Sequence, residues 1–176
     1  MSTDPRVELL VEELGAMEVF RRMHARNELI AMGRTATAAL IQALAMGSDR
    51  HRWEICKTLV ATKDPQAIPA LVEMLRDEIV AVRWVAAEAL IALGAGAEAP
   101  LLHALEEHFD SPLLRQSACH VLVALDRNGA LGSQSSARMK LLESTTPGIK
   151  IGDALAKNRR YDVRSFAAPT PGGASR

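Results

Sequence analysis

The chain repeats itself. Arg83-Trp84 followed by Ala89-Leu90-Ile91-Ala92-Leu93-Gly94 echoes Arg52-Trp53 followed by Thr58-Leu59-Val60-Ala61, at a period of about 31 residues. Extending that register places Arg22, Arg52, Arg83 and Arg115 at one repeat position, with Leu29, Leu59, Leu90 and Leu122 seven residues further on. A second pattern lies between these segments: Leu10-Val11 with Leu14, Leu40-Ile41 with Leu44, Leu71-Val72 with Leu75, and Leu101-Leu102 with Leu105. Apolar residues at i, i+1 and i+4 mark one face of a helix. Each unit therefore reads as an outer helix followed by a longer inner helix, and a repeat of this length cannot bury its apolar face except against its neighbours.

The pattern predicts outer helices over 5–15, 36–46, 65–76 and 97–108, and inner helices over 18–32, 50–62, 80–94 and 112–126. Local signals agree. Asp64-Pro65 is a capping carboxylate before an N1 proline, Pro5 and Pro112 also sit at helix starts, Thr35 is placed to cap the second outer helix, and Gly33 and Gly94 end inner helices. Pro69 and Pro100 fall inside outer helices and should bend their first turns. The totals fit as well: 176 residues, 48% of them apolar but only 3% aromatic, favour close helix-on-helix packing over a sandwich or barrel.

The run Val82-Arg83-Trp84-Val85-Ala86-Ala87-Glu88-Ala89-Leu90-Ile91-Ala92-Leu93-Gly94 resembles the inner-helix signature of HEAT-like repeats, as does Asp64-Pro65 through Pro69-Ala70-Leu71-Val72. The short units are similar to the repeats named after phycobilisome lyases, over about residues 5–126. The resemblance implies an all-α solenoid of about four HEAT-like hairpins. Such repeats serve adaptors, lyase subunits, a hydroxylase and scaffolds alike, so function has to be argued from residues.

The aligned arginines lie among apolar neighbours, and a buried guanidinium must be paired. Asp49, Asp77 and Asp110 stand three to six residues before Arg52, Arg83 and Arg115, in the inter-helix turns. An Asp–Arg ladder linking successive units is the expected arrangement, as the resemblance also implies, with Glu18 serving Arg22 in place of an aspartate. One residue after each arginine come Met23, Trp53, Trp84 and Gln116, a row that either packs between units or forms a contact strip on a concave inner surface.

Other chemistry finds little support. Cys56 and Cys119 occupy the position filled by Ala87 in the third unit and lie two repeats apart, roughly 20 Å at ~10 Å per helix packing, too far to bridge. Neither has the spacing of a zinc site. His103 and His108 are five residues apart, poor geometry for chelation, and the His-Glu dipeptides of the HEAT-like iron hydroxylases do not occur. No Gly-x-Ser-x-Gly, phosphate loop or His-Glu-x-x-His is present, and Glu12-Glu13 and Glu106-Glu107 diverge by 100° per residue on a helix, as solvated carboxylates do. The expectation is therefore a non-enzyme without metal or cofactor.

Residues 1–144 carry 15 Lys/Arg against 19 Asp/Glu, whereas 145–176 carry 6 against 2. An acidic repeat domain over 1–144, closed by a helix at 137–142, thus precedes a basic tail over 145–176 whose Ala/Pro/Gly/Ser-rich end has the composition of disorder. The acidic body disfavours nucleic acid. No uninterrupted apolar run approaches the ~20 residues of a membrane span, and early glutamates with few cysteines favour the cytoplasm. The leading expectation is a protein-interaction or scaffolding module presenting a concave helical surface to a peptide or protein. The alternative, brought by the lyase resemblance, is an accessory subunit of a bilin lyase.

Overall fold

The computed structural model describes residues 4–108 and 110–132. The expected closing helix at 137–142 and the basic tail lie outside them. Eight α-helices are formed among the described residues: α1 Pro5–Glu13, α2 Val19–Met32, α3 Thr37–Leu44, α4 Asp49–Thr62, α5 Ile68–Met74, α6 Val80–Leu93, α7 Glu98–Glu107 and α8 Pro112–Arg127. They pair as hairpins, α1 with α2 through α7 with α8. The even-numbered helices form the inner layer, α2 against α4, α4 against α6 and α6 against α8. The chain is all-α, and its helices match the expected spans to within about two residues at most ends.

The matched leucines explain why these hairpins stack. Leu29, Leu59, Leu90 and Leu122 are all fully buried, as are Ala25, Ile55, Ala86 and Ala118 one turn earlier. From the outer helices Leu14, Leu44, Leu75 and Leu105 join the same core. Burying a leucine side chain is worth about 1.5–3 kcal/mol. A single hairpin offers no partner for the faces turned towards its neighbours, so the units stand only as an array.

Helix ends follow local chemistry. Asp4, Ser48, Asp64 and Ser111 each accept a hydrogen bond from a backbone N–H of the helical turn they open, and prolines follow three of them. Thr35 does not cap α3: its hydroxyl instead donates to the Met32 carbonyl at 2.8 Å, inside a 3₁₀ turn over Gly33–Ala36. Similar turns at Pro65–Ala67 and Gly94–Ala97 lead into α5 and α7. The bends expected at Pro69 and Pro100 take this form, with each proline in the first turn of the α-helix, where its missing N–H costs nothing. The second unit makes the turn without a proline, so the turn belongs to the repeat and the prolines fit into it.

Residues Val80–Glu107 together have the length and composition of a membrane span. In the fold this stretch is two helices of successive units, broken at Gly94 with φ 73°, and it contributes Val82, Ala86, Leu90, Leu101 and Leu105 to the core.

Candidate functional site: the exposed side of the inner layer

Three of the four aligned arginines turn back on the loop that leads into their own helix. Arg22 donates to the carbonyls of Ala16 and Met17 at 2.8 and 2.7 Å, Arg52 to that of Gly47 at 2.8 Å, and Arg83 to those of Asp77 and Glu78 at 2.7 and 3.0 Å. The guanidinium thus fixes the angle between the two helices of a hairpin by satisfying carbonyls at the end of the first. Arg115 is half-buried at the same repeat position.

Carboxylate partners vary from unit to unit. Arg52 bonds Asp77 of the next turn at 2.6 Å through Nε and 3.1 Å through Nη2, and Asp49 of its own helix at 3.1 Å. The Asp77 contact holds its guanidinium above the ordinary arginine range, against the opposing effect of burial. Arg22 does not use Glu18, which lies 3.5 Å from Arg21. It reaches forward to Glu54 at 3.2 Å, and Arg26 takes the other oxygen of the same carboxylate at 2.7 Å. Glu54 is only 4% exposed, so those two cations are what make its burial tolerable. Asp110 is exposed and makes no ion pair among the described residues. Arg83 takes carbonyls where a carboxylate was expected, because its helix continues a turn whose Asp77 is already committed to Arg52.

The row after the arginines shares one face. Met23 and Gln116 are exposed and Trp53 and Trp84 half-buried. The Lys57 ammonium lies 4.6 Å from the Trp53 ring centre, a cation–π geometry. Burial and then Arg26 pull that ammonium below the usual lysine range, with Glu54 opposing. Trp84 stacks on His120 with ring centres 4.9 Å apart and planes at 28°, and the His120 Nε2 is 3.6 Å from Glu88. Trp84 therefore packs between the third and fourth units. Eight residues, about two turns, further along stand Ala31, Ala61, Ala92 and Ala124, which keep the surface low beside the row.

Sequence reasoning missed the residue that extends the row most. Phe20 is 86% exposed, one turn before Met23, with exposed Met17 preceding it and Val19 beside it. The available signal was its place in the repeat, two residues before the aligned arginine, where the second unit has the charged Arg50 and the third Ala81. Arg50 lays its guanidinium on the Met17 sulfur, joining the first two units at this edge.

Cys56 and Cys119 are both buried free thiols. Burial, and then Asp77, push the Cys56 thiol up to about 12, so it is an inert core group at neutral pH. Among the described residues no group of three or more His, Cys, Asp or Glu side chains is arranged to hold a metal ion.

A two-layer stack of like hairpins whose inner helices share one exposed side defines an α-solenoid. The HEAT repeats profile matches residues 8–91 and again residues 37–123, and the chain belongs to that family. HEAT repeats generally mediate protein–protein interaction or scaffolding and are typically non-enzymatic. Comparison with curated proteins gave no match.

Proposed function

We propose that the chain is a docking module that grips a peptide or protein partner along the exposed, concave side of its inner helices, through Met23, Trp53, Trp84 and Gln116 extended by Phe20. The observation that carries this reading is the run of large apolar groups Met23, Trp53 and Trp84 at one repeat position on adjacent helices, continued one turn along α2 by the 86% exposed Phe20. A solvated phenylalanine contributes nothing to the core, whereas rigid aromatic and methionine side chains are typical anchors of protein interfaces. Trp84 has a structural share through His120 and Trp53 a partial one against the core, so the anchors most free to act in binding are Phe20 and Met23 of the first unit.

Affinity purification with the full chain and with a Phe20→Ser, Met23→Ser, Trp53→Ala variant tests this. Recovery of a given partner should fall at least tenfold while the helical circular dichroism stays unchanged. Equal recovery by the two proteins would remove the inner strip as the docking surface.

A further inference from the structure

The first two inner helices differ from the rest of the molecule in charge. α2 and α4 carry three carboxylates, Glu28, Asp49 and Glu54, and each is already ion-paired, with Arg6, with Arg52, and with Arg22 and Arg26 respectively. Arg50 is exposed at the edge of the apolar strip, with no carboxylate partner among the described residues. Lys57 lies over the Trp53 ring within the strip, and His24 is exposed beside Met23. Residues 1–144 hold 19 Asp/Glu against 15 Lys/Arg, yet near Phe20, Met23 and Trp53 the exposed carboxylates of Glu18 and Asp49 are already ion-paired, with Arg21 and Arg52, which leaves the Arg50 cation to set the sign of the strip's edge. This is an island of positive character in an acidic body. It selects by sign, since like-charged neighbours penalise a wrong partner and opposite charge speeds encounter.

The backbone of the partner is constrained too. Among the described residues there is no strand, and the inner helices satisfy their own backbone groups, so no sheet edge is available to pair with an extended peptide. On a ridge that offers few backbone partners, a helix, which satisfies its own N–H and C=O groups, is favoured over an extended segment whose ridge-facing groups would lose water.

From these observations we infer that the N-terminal half of the strip, built of Met17, Phe20, Met23 and Trp53 with Arg50 and Lys57, receives an acidic amphipathic helix: apolar residues at i, i+3 or i+4 and i+7 seat on the ridge, and flanking Asp or Glu meet Arg50 and Lys57. The inference rests on the docking reading above and adds the class of partner.

The test is selection from a displayed library of random peptides on the full chain, followed by fluorescence titration of synthetic hits against wild type, Arg50→Glu/Lys57→Glu and Phe20→Ser. Hits should carry an apolar face with excess Asp/Glu, gain helicity on binding, weaken at least tenfold on the charge-reversed protein, and weaken as salt is raised. Neutral or basic hits that are lost with Phe20→Ser would overturn the acidic-helix inference and leave the docking strip standing. Hits indifferent to Phe20→Ser, or no enrichment at all, would overturn both.

Discussion

Where the first unit meets the second, two guanidiniums close on the buried Glu54 carboxylate at 3.2 and 2.7 Å; where the third meets the fourth, the Trp84 indole lies 4.9 Å from the His120 imidazole. The same leucine core runs through both junctions. The difference lies in how tolerant each is. A buried charge cluster carries a desolvation cost that only one register of the helices offsets, whereas stacked rings slide with little loss. The second junction, Arg52 on Asp77, is of the charged kind. Register fixed by buried charge is thus concentrated in the half of the array that also displays Phe20 and Met23, and a docking surface gains from being held in place before the partner arrives.

The largest effect should follow from breaking the first junction. Glu54→Ala leaves Arg22 and Arg26, whose side chains are only 14% and 15% exposed, without their shared anion. A loss of about 3 kcal/mol is expected in urea unfolding. Arg26→Met combined with Glu54→Met should recover part of it, because only Arg22 then lacks the anion and it keeps its bonds to the Ala16 and Met17 carbonyls. A loss below about 1 kcal/mol for Glu54→Ala would show that apolar packing alone holds the junction.

Trp84→Ala sharpens the other side of the comparison. It removes the stack on His120 and should cost about 2 kcal/mol, while Trp53→Ala, whose half-buried ring packs on the edge of the core beneath Lys57, should cost less by about the 0.5–1.5 kcal/mol of an aromatic stack. Equal costs would mean that both indoles are structural, and would weaken the case for Trp53 as an anchor.

The second unit offers a test in alkaline solution. The Cys56 thiol is raised from 9.0 to about 12, mainly by burial. Its contribution to stability is complete below pH 9 and is lost as pH rises through the interval up to about 12, since only the unfolded chain gains the thiolate there. Between pH 8 and pH 10 the wild type should lose on the order of 1 kcal/mol more than Cys56→Ala. Alanine is the natural occupant of this position in the third unit, as Ala87, so the variant is expected to fold. Parallel losses in the two proteins would mean that the thiol is hydrated in the native state.

Much of this architecture was legible because it rests on period. The spacing of Leu29, Leu59, Leu90 and Leu122 fixed which faces were buried, and helix ends followed from prolines, aspartates and glycines. The partnerships of the arginines were not legible in the same way. Arg22 finds Glu54 across 32 residues, a contact that no local spacing announces and that exists only once α2 lies on α4. Glu18, the local candidate, pairs instead with Arg21. Thr35 was misread for a related reason: its hydroxyl has both a donor and an acceptor role, and the 3₁₀ turn brings the Met32 carbonyl within reach before any free N–H. Phe20 was hidden by composition, because on sequence alone a phenylalanine counts towards the core.

The smallest expected effects concern how the inner helices stop. The first and third units end at Gly33 and Gly94, with φ, ψ of 60°, −131° and 73°, −144°, a region open in practice to glycine alone. A Cβ at Gly94 would meet nothing within 4 Å, so Gly94→Ala should cost about 1 kcal/mol through backbone strain and not through any clash. The second unit stops differently, at Lys63 with φ 50° and ψ 36°, the left-handed helical region, where its N–H donates to the Leu59 carbonyl at 3.3 Å. A non-glycine residue there costs about 1 kcal/mol, and a glycine would relieve that cost while adding about 0.5 kcal/mol of freedom to the unfolded chain. Lys63→Gly should therefore stabilise by about 0.5 kcal/mol in thermal unfolding. A destabilisation of similar size would instead show that the Lys63 side chain contributes contacts at this helix end that outweigh its backbone strain.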